Sequence, residues 1–92
     1  MNIEWDEKKN QLNIKKHRVS FELAAYVFTD PLRKECYDAK HSKFGEDRMI
    51  VIGLAKKRLL FICFTEPDTE TVRIISARKA DKHERRYYYG NG

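Results

Sequence analysis

The stretch from Arg48 to Thr65 constrains the fold more than any other part of the chain. Arg48-Met49-Ile50-Val51-Ile52-Gly53-Leu54-Ala55 and Arg58-Leu59-Leu60-Phe61-Ile62-Cys63-Phe64-Thr65 are two strand-like runs separated only by Lys56-Lys57. Two residues are enough for a hairpin and far too few for a crossover, so the runs are predicted to be antiparallel neighbours. The second run is apolar throughout, as in a central strand covered on both faces. The rest of the chain has to supply that cover.

Two further runs extend the sheet. Thr71 to Ala77 reads as a strand joined through a turn at Glu66-Pro67-Asp68-Thr69-Glu70, and Leu32 to Asp38 as a charged edge strand. Ala39 to Asp47 is polar, holds Gly45 and is predicted to be a loop. The first third has helical signals. Asp6 can cap a helix over Glu7 to His17 whose only apolar residues are Leu12 and Ile14, with Lys15, Lys16 and His17 at its negative end. Ser20 can cap a second helix running to Phe28, with Val19 stapling onto Ala24 and Asp30-Pro31 ending it. The last helix is predicted over Ala80 to Tyr89, with Asp81 and Glu84 as a capping box and Gly90-Asn91-Gly92 as a frayed tail. The expected architecture is α+β: a compact antiparallel four-stranded sheet, an N-terminal helical hairpin and a C-terminal helix. The order is α-α-β-β-β-β-α, in one domain over residues 1–92.

With 92 residues the chain can bury one modest core. Lys+Arg number 19 against 14 Asp+Glu, a formal charge of +5, which suits a polyanion or an acidic protein partner but also a merely soluble basic domain. No apolar run approaches the roughly 20 residues of a membrane span. The start Met1-Asn2-Ile3-Glu4-Trp5-Asp6 does not read as a secretory signal, so a cytoplasmic protein without membrane contact is expected. Cys36 and Cys63 form no Cys-x-x-Cys motif and are expected to be free thiols. Together with His17, His41 and His83 they have no zinc-ligand spacing. There is no Gly-rich phosphate loop, no H-E-x-x-H and no acidic cluster of magnesium-site character, which argues against a kinase, a metalloprotease or a two-metal nuclease. No cofactor or metal is expected.

What remains open is chemistry without a metal. RNA carries its own nucleophile, the 2′-hydroxyl. A protein then has to position the strand, move a proton and neutralise charge growing on the phosphate. The C-terminal third has the residue types for this: Arg73, Arg78, Lys79, Lys82, His83, Arg85 and Arg86, followed by Tyr87-Tyr88-Tyr89. Guanidinium groups bind phosphate oxygens bidentately, and aromatic rings stack on unpaired bases. A charged helix face is commonly just solvated, so the arginines of the strand carry more weight than those of the helix. Arg73 and Arg78 are the leading candidates for phosphate and transition-state charge, with Lys79 and Arg48 as secondary cations. His17, His41 and Tyr87 are candidates for proton transfer.

Several strings, in order, resemble one known family. Trp5-Asp6-Glu7-Lys8, Asn13, Lys16-His17, Val19-Ser20-Phe21-Glu22, Ala25 through Val27-Phe28 and Asp30-Pro31 match its N-terminal pattern. Arg48, Gly53-Leu54, Arg73-Ile74-Ile75-Ser76-Ala77-Arg78-Lys79-Ala80, Glu84 and Tyr87 match the rest. The chain is similar in this way to the BrnT toxins of type II toxin–antitoxin systems. The resemblance implies a RelE-like ribonuclease fold and an RNA substrate. It also implies a BrnA-type antitoxin with a ribbon-helix-helix domain, through which the pair would bind operator DNA and repress its own operon. One position departs from the family pattern. Arg18 stands where a glycine usually follows Lys-His, and glycine there suits a left-handed helix end.

Two other functions stand beside the nuclease reading. One is a non-catalytic basic module that docks an acidic or DNA-binding protein. The other is an RNA-binding regulator, whose binding would be tight and salt-dependent without cleavage.

Overall fold

In the computed structural model, which describes residues 1–90, the central hairpin forms where its two runs require it. Strand β3 spans Arg48–Ala55 and β4 spans Arg58–Asp68, in register from Ala55↔Arg58 to Arg48↔Thr65. The strand β5, Thr71–Lys79, pairs antiparallel with β4, and β2, Lys34–Tyr37, pairs antiparallel with β3. The expectation of four strands, all antiparallel, in the order α-α-β-β-β-β-α is corrected on one point. A fifth strand, β1, Asn2–Glu4, precedes every helix and pairs parallel with β5. The sheet order is β1-β5-β4-β3-β2. A three-residue segment has too little pattern of its own to announce a strand; the pairing partner on β5 makes it one.

The helical elements follow their caps. Asp6 accepts from the backbone of Lys8 and Lys9 and starts α1, Glu7–His17. Ser20 accepts from Leu23 N–H and starts α2, Phe21–Ala25, which tightens into a 3-10 turn over Tyr26–Thr29. The second arm of the hairpin is therefore shorter as α-helix than its apolar run suggests. Asp81 and Glu84 form the capping box of α3, Lys82–Tyr89. Arg18 takes the left-handed conformation (φ 60°, ψ 30°) that a glycine would adopt freely, and its N–H closes onto Ile14 O. Gly90 ends α3 in the same conformation; the rest of the expected tail, Asn91 and Gly92, lies outside the described residues.

Alternation along the strands gives the sheet two unlike faces. One packs Val51, Ile62, Phe64, Ile74 and Ala77 against Val19, Phe21, Ala24, Val27 and Phe28 of the N-terminal helices. The helix α1 docks there through amides, not through its apolar residues. Leu12 is exposed, whereas Asn10 and Asn13 are buried. Asn13 donates to the carbonyls of Val19 and Ala77 and accepts from Ala77 N–H, and Asn10 accepts from Phe21 N–H. The other face carries a smaller cluster of Ile52, Leu59, Ala80 and Tyr88, where α3 covers one end only. A buried knot holds α3 down. The Asp30 carboxylate accepts from Tyr88 OH, Leu54 N–H and Leu32 N–H. Gly53 lets this knot close, because a Cβ there would stand 2.8 Å from Val27 Cγ1 and 3.2 Å from Asp30 Oδ2.

Candidate nucleic-acid interface

The end of the second face that α3 leaves open is where the candidate arginines meet. The strand register places Arg48, Thr65, Arg73 and Glu4 in one row across β3, β4, β5 and β1. Residues opposite one another across paired strands share a face, so these side chains lie on the same side of the sheet. Farther along the same face, Arg78 lies opposite Phe61, and Ser76 opposite Cys63. Helix α3 covers this face beyond Phe61. The result is a partly open sheet surface bounded by three arginines.

Each arginine is held differently. Arg78 is the most constrained. Its guanidinium lies over the Phe61 ring at 4.0 Å from the centroid. Its Nη1 and Nη2 donate to the two oxygens of Glu84 at 2.8 Å each, and Nη1 also donates to Lys79 O. The Glu84 carboxylate, outweighing the effect of burial, pushes the Arg78 pKa above its already high ordinary value, so this cation is permanent. Glu84 takes the end of the guanidinium. Among the described residues nothing accepts from Nε, and the side edge formed by Nε–H and the second Nη2–H remains uncommitted on a side chain that is 36% exposed. That edge has the two parallel donors that match a phosphate. Arg73 presents the converse. Its Nε and Nη2 both meet Glu4 Oε2 in an exposed pair, and among the described residues nothing accepts from Nη1. Among the described residues the Arg48 guanidinium has only a long contact, 3.4 Å, to Glu46.

The remaining candidates are scattered. Lys79 ends β5 at the far side of the sheet, near Lys57, Arg58 and Arg85. His17 closes α1, in the layer that covers the opposite face of the sheet. Tyr87 is exposed on α3, next to the buried Tyr88. His41 lies in the β2–β3 loop with its Nδ1 2.9 Å from Asp38 Oδ2. The loop joins the start of β3 through Ser42, whose Oγ accepts from Arg48 N–H, so His41 is the histidine tied to the arginine end of the sheet. The two cysteines are free; Cys36 and Cys63 flank Ile50 on the open face, one strand to each side.

Glu84, Phe61 and Glu4 position the arginines, and none stood out as a site residue in the sequence. Glu84 was legible only as a cap; that it also clamps Arg78 depends on β5 continuing to Lys79. Phe61 was one of eight apolar residues in a row, and its facing Arg78 depends on register. Beside Arg73 a cleft of about 510 Å³ opens between the loop and the strand ends, lined among others by Gly45, Glu46, Asp47, Thr65 and Glu66. Among the described residues no helix is long and apolar enough to cross a membrane, and no group of three or more His, Cys, Asp or Glu is arranged to hold a metal ion.

Residues 5–84 match the family described as the ribonuclease toxin, BrnT, of type II toxin–antitoxin systems. The chain belongs to the BrnT toxin family. The match spans both the helical layer and the arginine-bearing strand, including Arg48, Arg73, Arg78 and Glu84. Among solved structures, the chain is similar to the 1.1 Å crystal structure of the Brucella abortus ribonuclease toxin BrnT. The TM-score is 0.68 at 27% sequence identity, over 89% of this chain and 99% of that one. The α+β fold is thus that of a BrnT toxin. No curated protein matches the sequence.

Proposed function

We propose that this BrnT-family chain is an endoribonuclease that cuts single-stranded RNA on the open sheet face by metal-independent attack of the 2′-hydroxyl on the adjacent phosphate. The product would be a cyclic-phosphate or 3′-phosphate end. The observation that carries this reading is Arg78. It is a permanent cation, fixed by Phe61 and Glu84, with a two-donor edge left over. A rigid donor pair aimed at a phosphate costs no reorganisation when charge develops there. Arg73 and Arg48, in one row beyond it, would hold the neighbouring backbone, while Lys79, paired with Leu60 and so off this face, would be a secondary cation for RNA leaving it. The Arg73–Glu4 pair is exposed and therefore exchangeable, since such pairs are worth about 0–1 kcal/mol.

Proton transfer falls to His41 before His17 or Tyr87, because the loop that bears it is anchored to Arg48, and Asp38 orients its ring. The domain, residues 1–92, is read as one RelE-like unit acting on cytoplasmic RNA. Its neutralising partner is read as a BrnA-type ribbon-helix-helix antitoxin that covers the arginines and supplies the contact with operator DNA. The exposed edge strand β2 offers that partner a place to add a strand.

The test is chemical. Purified protein, in excess chelator, is given an unstructured RNA and its products are analysed by end group. Cutting with cyclic or 3′-phosphate ends, blocked by one 2′-deoxy substitution at the cut site, is expected. A requirement for magnesium, or 5′-phosphate products, contradicts the mechanism.

A further inference from the structure

The loop between β2 and β3 ends in a feature that folding does not explain. Its root is well tied: the Asp38 carboxylate receives His41 N–H and meets the His41 ring, Ser42 Oγ donates to Asp38 O, and Arg48 N–H donates to Ser42 Oγ. Its tip is a two-residue turn. Lys43 and Glu46 exchange both backbone hydrogen bonds at 2.9 Å, and Gly45 supplies the positive φ of 84°. The remaining turn residue is Phe44, at 108% relative exposure. A hydrogen-bonded turn thus presents a whole aromatic ring to water, with none of the described residues packed on it.

The three residues after Phe44, Gly45 to Asp47, line the cleft that also contains Thr65, Glu66 and Arg73. Glu46, Asp47 and Glu66 repel phosphate, so their side of the cleft does not suit the backbone of a nucleic acid. Carboxylates do accept N–H groups from base edges. Arg73, at the same cleft, is the group that suits the phosphate. The acceptors for a base edge and the cation for the phosphate share the cleft, and Phe44, not itself part of the lining, stands at the tip of the loop whose next three residues form the cleft wall.

We infer that Phe44 and this cleft form a nucleotide subsite, in which an unpaired RNA base stacks on the Phe44 ring while its phosphate meets Arg73. The subsite rests on the reading of the open face as an RNA surface and adds to it a grip beside the cutting arginines. Stacking on an aromatic side chain tolerates any base, so it strengthens binding without dictating sequence. A fully exposed ring can be replaced without disturbing the fold.

The experiment separates this subsite from the cleavage reaction. Binding of a short unpaired RNA carrying 2′-O-methyl groups, which lack the attacking hydroxyl, is measured by fluorescence anisotropy for the whole protein and for Phe44→Ala, Phe44→Leu and Phe44→Tyr. Alanine and leucine are expected to weaken binding at least fivefold, and tyrosine to stay within twofold of the parent. Equal affinity of Phe44→Ala and the parent overturns the subsite. So does a leucine variant that binds like the parent, since that would mean a generic apolar contact. RNA affinity unchanged in Phe44→Ala, with weakened binding of a neutralising protein partner, also overturns it and reassigns the ring to that interface. Phe44-dependent binding without cleavage of unmodified RNA by the parent leaves the subsite standing and sinks the nuclease reading instead.

Discussion

On the face of the sheet covered by α1 and α2, Asn13 uses its amide oxygen and nitrogen on backbone groups of Ala77 and Val19. On the other face Arg78, next to Ala77 on β5, is fixed almost as firmly and yet among the described residues keeps a pair of donors unused. The two neighbours show how to separate support from function among polar residues. Asn13 satisfies groups that would otherwise be buried without partners. Arg78 is oriented by partners and retains capacity for something outside the chain.

The comparison predicts that removing groups on the covered side costs stability, while removing the open-face cations costs activity alone. Asn13→Ala should have the largest effect on stability. It orphans the buried N–H and C=O of Ala77 and the carbonyl of Val19, for about 3 kcal/mol, or a melting temperature lower by about 15 °C in calorimetry. A loss below about 1 kcal/mol would show that water replaces the amide and that the covered side is not the dry support described.

Asp30→Asn comes next, at about 2 kcal/mol near neutral pH, because the carboxylate anchors Tyr88, Leu54 and Leu32 together. Burial raises the Asp30 pKa, but the bonds from Leu54, Tyr88 and Leu32 and the charge of Arg33 outweigh it and hold the value below the usual carboxylate range. Its contribution is therefore present above pH ~4, where an unfolded aspartate ionises, and is lost as pH falls through the lower folded value. Tyr88 is shifted the other way. Burial first, then the bond to Asp30, pushes its pKa up to about 12. The neutral phenol is the form the fold favours, so that contribution holds below pH ~10 and is lost as pH rises through the folded value. Urea midpoints of parent and Asp30→Asn should differ most near pH 7 and converge toward pH 3. A constant gap across that range would remove the charge from the explanation.

Arg18→Gly tests the covered side in the stabilising direction. Relieving a left-handed arginine should raise stability by about 0.5–1 kcal/mol. Smallest in stability should be Arg73→Ala, within about 0.5 kcal/mol of the parent in urea unfolding, since its ion pair is exposed. Its RNA cleavage should nevertheless fall severalfold. A large stability loss there would move Arg73 from the functional to the structural side.

Much of the fold was legible because its signals are local. Lys56-Lys57 between two apolar runs sets the hairpin, and Asp6, Ser20 and the Asp81/Glu84 pair mark helix starts that the structure reproduces. What escaped depends on distant partners. Strand β1 exists only against β5. Strands β4 and β5 extend past their apolar runs to Asp68 and Lys79 because each gives the other a ladder, with register shifts near Cys63/Phe64 and Thr65/Asp68. The helix α1 looked poorly amphipathic because its inward face is made of asparagine. In the same way the arginines were legible as candidates by residue type, and their grouping was not. Register alone puts Arg48 and Arg73 in one row and sets Arg78 over Phe61, and the same geometry leaves His17 and Lys79 elsewhere.

We propose that Arg78 acts through the geometry of its free edge and not through charge alone. The direct measurement is the single-turnover cleavage rate of an unstructured RNA by the parent, Arg78→Ala and Arg78→Lys, with melting temperatures recorded alongside. Both variants are expected to be folded and at least tenfold slower, lysine included, because an ammonium keeps the charge and loses the paired donors. Cleavage at the parent rate by folded Arg78→Lys would contradict the role of the fork, and undiminished cleavage by folded Arg78→Ala would contradict the site.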